Sequence, residues 1–123
     1  MGITNAILKV KEHRKSEKIA EVNFLIDSGV IYSLVPGKIL DALDIEPYKE
    51  MSFSLVDGTT LKRRVCSAYF KFEGEGGPAP VVYGEEWDEP LLGGTTLKSL
   101  GLVLNPFTRT LHPMRTLMAK LKP

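Results

Sequence analysis

"FLIDSGVIYSLVP", residues 24–36, carries three apolar residues straight into Asp27, Ser28 and Gly29 and then turns apolar again. A carboxylate at the end of an apolar strand lowers stability unless something pairs with it or uses it. Working outward, Val22, Phe24 and Ile26 share one face of the strand and Asn23 and Leu25 the other, which is the period of a half-buried β-strand. Asp, Ser and Gly then form a turn, and Tyr32 to Val35 resume extended structure.

The flanking sequence continues the strand pattern. Residues 3–11 and 17–26 both alternate, so His13-Arg14-Lys15-Ser16 reads as a hairpin loop between two strands. Pro36 to Leu43 reads as a short helix opened by Pro36, with Leu40 and Leu43 turned to the core. Residues 50–56 and 59–65 read as strands about Asp57-Gly58, a strong hairpin signal. A second hairpin is predicted from residues 66–72 and 78–84 about a turn at residues 73–77. The acidic stretch Glu85-Glu86-Trp87-Asp88-Glu89 leads into Pro90-Leu91-Leu92-Gly93-Gly94. There follows a short helix with Thr95 or Thr96 as N-cap, Leu97 and Leu100 inward and Gly101 closing it. Two strands about Asn105-Pro106 complete the pattern. The expectation is one all-β domain over residues 1–123 with two short helices. Residues 115–123 are apolar enough to form a dimerisation strand, or they form a tail.

Composition narrows the function. A chain of 123 residues suits one modest core. Sixteen basic against fifteen acidic residues leave a net charge of +1, with no electrostatic footprint for nucleic acid. Lys62-Arg63-Arg64 is the one basic run and reads as a solvated strand edge. No stretch approaches the roughly 20 apolar residues needed to span a bilayer. The N-terminus lacks the apolar centre of a signal peptide, so no membrane partner is expected. Cys66 is the single cysteine, which fits a reducing cytoplasm, and it reads as a small core residue and not a nucleophile. His13 and His112 have no acidic or cysteine neighbours at ligand spacing, so no metal site is expected. The turn at residues 73–77 lacks the Lys and Ser/Thr of a phosphate-binding loop. Trp87 either lines a cleft or covers the core.

One internal echo stands out. "FLIDSG" and "PLLGG", about 66 residues apart, each run an apolar strand into a glycine turn followed by a short helix. On its tripeptide alone Asp27 would be a turn residue capping its own backbone. The two signatures in order, with the Asp57-Gly58 hairpin between them, resemble the retropepsin-like aspartic proteases, in particular the small single-domain cellular members. The resemblance covers roughly residues 3–112. It implies a closed acid-protease barrel, catalysis by Asp27, support of the active-site loop by Ser28 and Gly29, and a flap at Val56, Asp57, Gly58 and Thr59. Substrate pockets would come from Ile31, Leu92 and Gly93, with Val56 above them, and no cofactor is needed.

The chemistry of that family explains its residue types. Two carboxylates held close together cannot both ionise and so share one proton. One acts as general base on a water while the other hydrogen-bonds the substrate carbonyl. This chain carries one Asp-Ser-Gly, so the resemblance implies a homodimer with one Asp27 from each subunit, acting on an extended peptide or protein substrate. Two positions depart from the family: Gly94 stands where retroviral members usually have Arg, and the hairpin tip has one glycine, not a glycine-rich stretch. The alternative is a catalytically idle module of the same fold that binds an extended peptide by strand addition.

Overall fold

The structure, a computed structural model, describes residues 4–114. Residues 115–123, read above as a dimerisation strand or tail, lie outside the described residues. The elements run β1 (Asn5–Lys11), β2 (Ala20–Ile26), β3 (Ser33–Pro36), α1 (Gly37–Ala42), β4 (Lys49–Ser54), β5 (Thr60–Phe72), β6 (Glu75–Gly84), β7 (Leu91–Leu92), α2 (Gly94–Ser99), β8 (Leu102–Asn105) and β9 (Thr110–Pro113). Seven strands form one sheet in the order β1-β2-β7-β3-β6-β5-β4, and a further β1–β5 pairing closes it into a barrel. Closure removes most of the open edges that such a sheet would expose.

Alternation along the strands builds the interior. Val22, Phe24 and Ile26 of β2 point inward with Leu8 and Val10 of β1 and Ala68 and Phe70 of β5. Phe24 and Phe70 meet in a tilted pair with ring centroids 5.9 Å apart. Leu40 of α1 and Leu43 just after it, and Leu97 of α2 and Leu100 just after it, are buried in the core as their spacing predicts. Cys66 is fully buried in this core. Burial pushes its thiol up to about 11, more than nearby Arg64 lowers it, so it stays protonated and unreactive near neutrality.

Several boundaries differ from the sequence reading, each for a long-range reason. The two predicted strands 59–65 and 66–72 are one thirteen-residue strand, β5. Its first half pairs with β4 and its second with β6 and β1, so Val65 is where the strand passes from one partnership to another. The loop between β1 and β2 spans Glu12–Ile19 and not four residues, because Lys11 leaves β2 and pairs with Tyr69 of β5. The second hairpin turns on Glu73 and Gly74 alone, both at positive φ, while Gly76 and Gly77 are strand residues paired with Lys71 and Phe70. Pro36 ends β3 and caps α1, while the helix itself begins at Gly37. Gly93, not Thr95 or Thr96, is the N-cap of α2, and Thr96 is fully buried inside the helix. The predicted closure at Gly101 holds, with φ of 67° and its N–H on the Lys98 carbonyl.

The basic run does not make a free patch. Arg63 reaches Asp88 at 2.9 Å and Glu85 at 3.8 Å, and the Arg64 guanidinium lies 4.2 Å from the centroid of the Tyr83 ring. The Tyr83 hydroxyl in turn donates to Asp41 (2.7 Å), which raises the Tyr83 pKa.

Candidate active site

The two echoed segments lie side by side. β2 pairs in parallel with β7, Leu25 opposite Leu91 and Ile26 opposite Leu92, and β7 pairs on its other side with β3 through Leu91 and Leu34. Three backbone bonds bind the end of β2: Leu25 N–H to the Pro90 carbonyl (3.1 Å), Ile26 N–H to Thr4 (2.8 Å) and Asp27 N–H to Leu92 (3.0 Å). The strand that ends in Asp27 is therefore held on both sides up to the carboxylate itself.

Asp27 then leaves the sheet and stands exposed with Ser28 and Gly29. Its Oδ1 accepts the Gly29 N–H (3.1 Å), its carbonyl accepts the Val30 N–H (3.2 Å), and no other side chain among the described residues bonds the carboxylate. A Cβ at Gly29 would sit 3.3 Å from Asp27 Oδ1, so glycine lets the turn close tightly behind the carboxylate.

The rear of the turn is locked to α2. Gly94 N–H donates to the Val30 carbonyl (2.7 Å) and Thr95 N–H to Ile31 (3.0 Å). Ser33 Oγ accepts the Gly93 N–H at 2.9 Å and shares a 2.5 Å hydrogen bond with Thr96 Oγ1. A Cβ on Gly93 would meet the Tyr32 carbonyl group at 2.7–2.8 Å, which only glycine avoids. Neither Ser33 nor Thr96 was read from the sequence as part of the site, Thr96 being named there only as a possible N-cap. The available signal was a hydroxyl at Ser33 on the same inward face as Val35, a polar residue where a core strand should be apolar.

The remaining predicted site residues are scattered. Ile31 is 67% exposed at the side of the turn. Leu92 is fully buried in the core, so its side chain lines no surface and the pocket reading is corrected there: its carbonyl, holding Asp27, is its link to the site. Gly93 likewise is packed against Tyr32. Val56, Asp57 and Gly58 form a three-residue loop, since the Leu55 N–H bonds Thr59 (2.8 Å), the Gly58 N–H bonds Leu55 (3.0 Å) and Gly58 takes φ of 89°. Asp57 Oδ1 accepts both the Thr59 hydroxyl (2.7 Å) and the Thr59 N–H (2.9 Å), and these bonds hold its carboxyl below the usual range. Val56 is fully exposed at the tip. The hairpin is tied to the Asp27 segment near its tip, because Phe53 of β4, paired with Leu61, meets Tyr32 edge-on with centroids 5.8 Å apart.

Trp87 does not cover the core, being 79% exposed. The described residues contain no cluster of metal-ligating side chains and no helix long and apolar enough to cross a membrane.

The fold is similar to that of solved retroviral proteases. The EIAV protease complexed with an inhibitor superimposes with a TM-score of 0.62 at 18% identity, over 85% of this chain and 93% of that one. The Simian Foamy Virus (mac) protease, a solution structure, matches with a TM-score of 0.51 at 22% identity, over 76% and 92% respectively. No family profile and no curated protein sequence matches. The chain has the retropepsin-like fold, an all-β barrel of the aspartic-protease kind with two short helices.

Proposed function

We propose that this chain is an aspartic endopeptidase that works as a homodimer, with Asp27 of each subunit forming the catalytic pair. The observation that carries the reading is the contrast at the turn. The backbone on either side of Asp27 is fastened to Thr4, β7 and α2, with a buried Ser33–Thr96 side-chain bond behind the turn, while the carboxylate accepts one N–H of its own turn and faces outward. A turn held rigid around an unused acid suits a group whose partner lies on another copy.

In the dimer one Asp27 is ionised and the other protonated. The ionised carboxylate takes a proton from a water as the water oxygen bonds the scissile carbonyl carbon, and the protonated one gives its proton to the carbonyl oxygen. The tetrahedral diol then collapses: the protonated carboxyl gives its proton to the amide nitrogen as the C–N bond breaks, and the ionised one takes a proton from a diol hydroxyl, which leaves a carboxylic acid, an amine and the starting dyad. The substrate would be an extended peptide lying between the Asp27 pair and the β4–β5 hairpin, which would serve as the flap, with Ile31 beside it. Ser28 would bond across to the opposing turn. The buried Cys66 thiol is compatible with a reducing cytoplasm, where we place the protein.

The test is cleavage of a peptide library by the wild type and by Asp27→Asn, with molar mass in solution measured alongside. The reading expects a mass twice 13.6 kDa and cleavage lost in the variant. A wild type that binds extended peptides without cutting them would favour the idle module, and an Asp27→Asn chain that still cleaves would sink the enzyme assignment.

A further inference from the structure

The β4–β5 hairpin projects from the barrel on its own pairing. From Thr60 to Arg64 it pairs with β4 and with no other described strand, and β4 is an edge of the sheet. Residues opposite each other on such a ribbon point to the same side, so Met51 with Arg63 and Phe53 with Leu61 share one face. Met51, Phe53 and Arg63 on that face are half-buried, while Glu50, Ser52, Lys62 and Arg64 on the other are exposed. At the base Arg64 rests on the Tyr83 ring. Beyond it the hairpin lies with one face down, and what that face touches decides where the tip stands.

Two contacts fasten the lower face, one from each strand, and both lead to the Asp27 turn. Phe53 of β4 meets Tyr32 in the segment that follows Asp27. Arg63 of β5 reaches Asp88 (2.9 Å) and Glu85 (3.8 Å) in the loop before β7. That loop is closed on itself: Asp88 Oδ2 also accepts the Glu85 N–H (2.7 Å), and the Asp88 N–H returns to the Glu85 carbonyl (3.1 Å). Just beyond it the Pro90 carbonyl accepts the Leu25 N–H and the Leu92 carbonyl that of Asp27. The guanidinium is thus anchored to the backbone that also holds the carboxylate. The two fastenings differ in kind. An aromatic edge contact is indifferent to salt, whereas an ion pair about one-fifth exposed weakens as ions screen it.

We propose that the Arg63–Asp88 ion pair is a latch that fixes the β4–β5 hairpin relative to the loop before β7, and so relative to the Asp27 turn. With one point of contact on each strand the hairpin can neither lift nor roll. With the ion pair gone it rolls about the Phe53–Tyr32 contact. Arg63 and Asp88 are then positioning residues: they act on an extended peptide through the hairpin that covers it. That consequence rests on the reading above, while the latch itself does not.

Energy transfer from Trp87, the one tryptophan, to a small acceptor on Val56→Cys reads the gap between this loop and the hairpin tip. Val56 is fully exposed, and Cys66 is buried and takes no label. An excess of unlabelled Trp87→Phe chain confines the signal to one subunit. Asp88→Asn removes the charge yet keeps an oxygen for the Glu85 N–H, so the loop turn survives; Arg63→Gln removes the other charge. Both should lower the transfer and abolish its response to salt between about 0.1 and 1 M. Arg63→Lys, which keeps the charge, should retain most of it. Lys18→Gln, which breaks the exposed Lys18–Asp44 pair, should change nothing. Circular dichroism checks that each variant stays folded. In peptide cleavage by unlabelled chains, Asp88→Asn and Arg63→Gln should raise KM about threefold or more with kcat nearly unchanged, a split that lost stability alone does not give. Transfer that neither variant nor salt alters, or that Lys18→Gln lowers as much, overturns the latch and leaves the protease reading standing. A fall in kcat at unchanged KM overturns the positioning role. A wild type that cuts no peptide overturns the protease reading, and the transfer still decides the latch.

Discussion

Ser33 Oγ lies 2.5 Å from Thr96 Oγ1, and both side chains are completely shut off from solvent. The pair joins the segment after the Asp27 turn to α2 across 63 residues of sequence, and Ser33 also takes up the Gly93 N–H. Ser33→Ala would strand a buried hydroxyl and a buried N–H, and should cost about 2–4 kcal/mol. Thr96→Val keeps the shape and leaves Ser33 bonded to Gly93, so it should cost about 1 kcal/mol. Urea unfolding measures both, and the double variant should lose less than the sum because the two share one network.

Gly93 has no room for a side chain. A Cβ there would press on the Tyr32 carbonyl group, whose atoms belong to backbone and cannot swing aside. Gly93→Ala should destabilise by roughly 1–3 kcal/mol, and if Asp27 is catalytic it should lower kcat as the turn shifts. Gly29→Ala meets Asp27 Oδ1 at a softer 3.3 Å and should cost less stability than Gly93→Ala. Equal losses would contradict the packing argument.

Arg63 joins the β4–β5 hairpin to the acidic loop before β7. Its guanidinium pairs with Asp88, whose Oδ2 also accepts the Glu85 N–H at 2.7 Å, and both charged side chains are about one-fifth exposed. Asp88→Ala loses the ion pair and the loop bond together and should cost about 1–2 kcal/mol. Arg63→Ala should cost about 1 kcal/mol, and the difference from wild type should narrow at high salt. Thermal melts at two ionic strengths check both.

Cys66 sets an alkaline limit. Its thiol titrates at about 11 in the folded chain against 9.0 in the open one. The raised value means that its share of stability is whole below pH 9 and is lost as pH climbs toward 11, where the unfolded chain releases a proton the folded chain keeps. The loss should reach roughly 2 kcal/mol by pH 11. Denaturant midpoints from pH 8 to 11 should fall more steeply for wild type than for Cys66→Ala, which is less stable near neutrality but lacks this titration.

Much of the fold was legible because its signals are local. Alternation marked the faces of β2, Leu40 with Leu43 and Leu97 with Leu100 marked the inward sides of the helical segments, and Asp57-Gly58 marked a hairpin. The echo between "FLIDSG" and "PLLGG" was legible too, as two similar segments. That they pair in parallel, edge to edge, was not.

The sequence by itself determined that one carboxylate per chain is delivered into a glycine turn at the end of an apolar strand. Tertiary structure decided what surrounds it. Leu92, read as a pocket wall, is core, and the hydroxyls of Ser33 and Thr96 form the lock behind the turn. The single strand β5 serves both the projecting hairpin and the barrel. The reason is one of range: period and turn chemistry act over a few residues, whereas a hydroxyl 63 positions away or a strand that changes partner midway is set only when the closed barrel brings the pieces together.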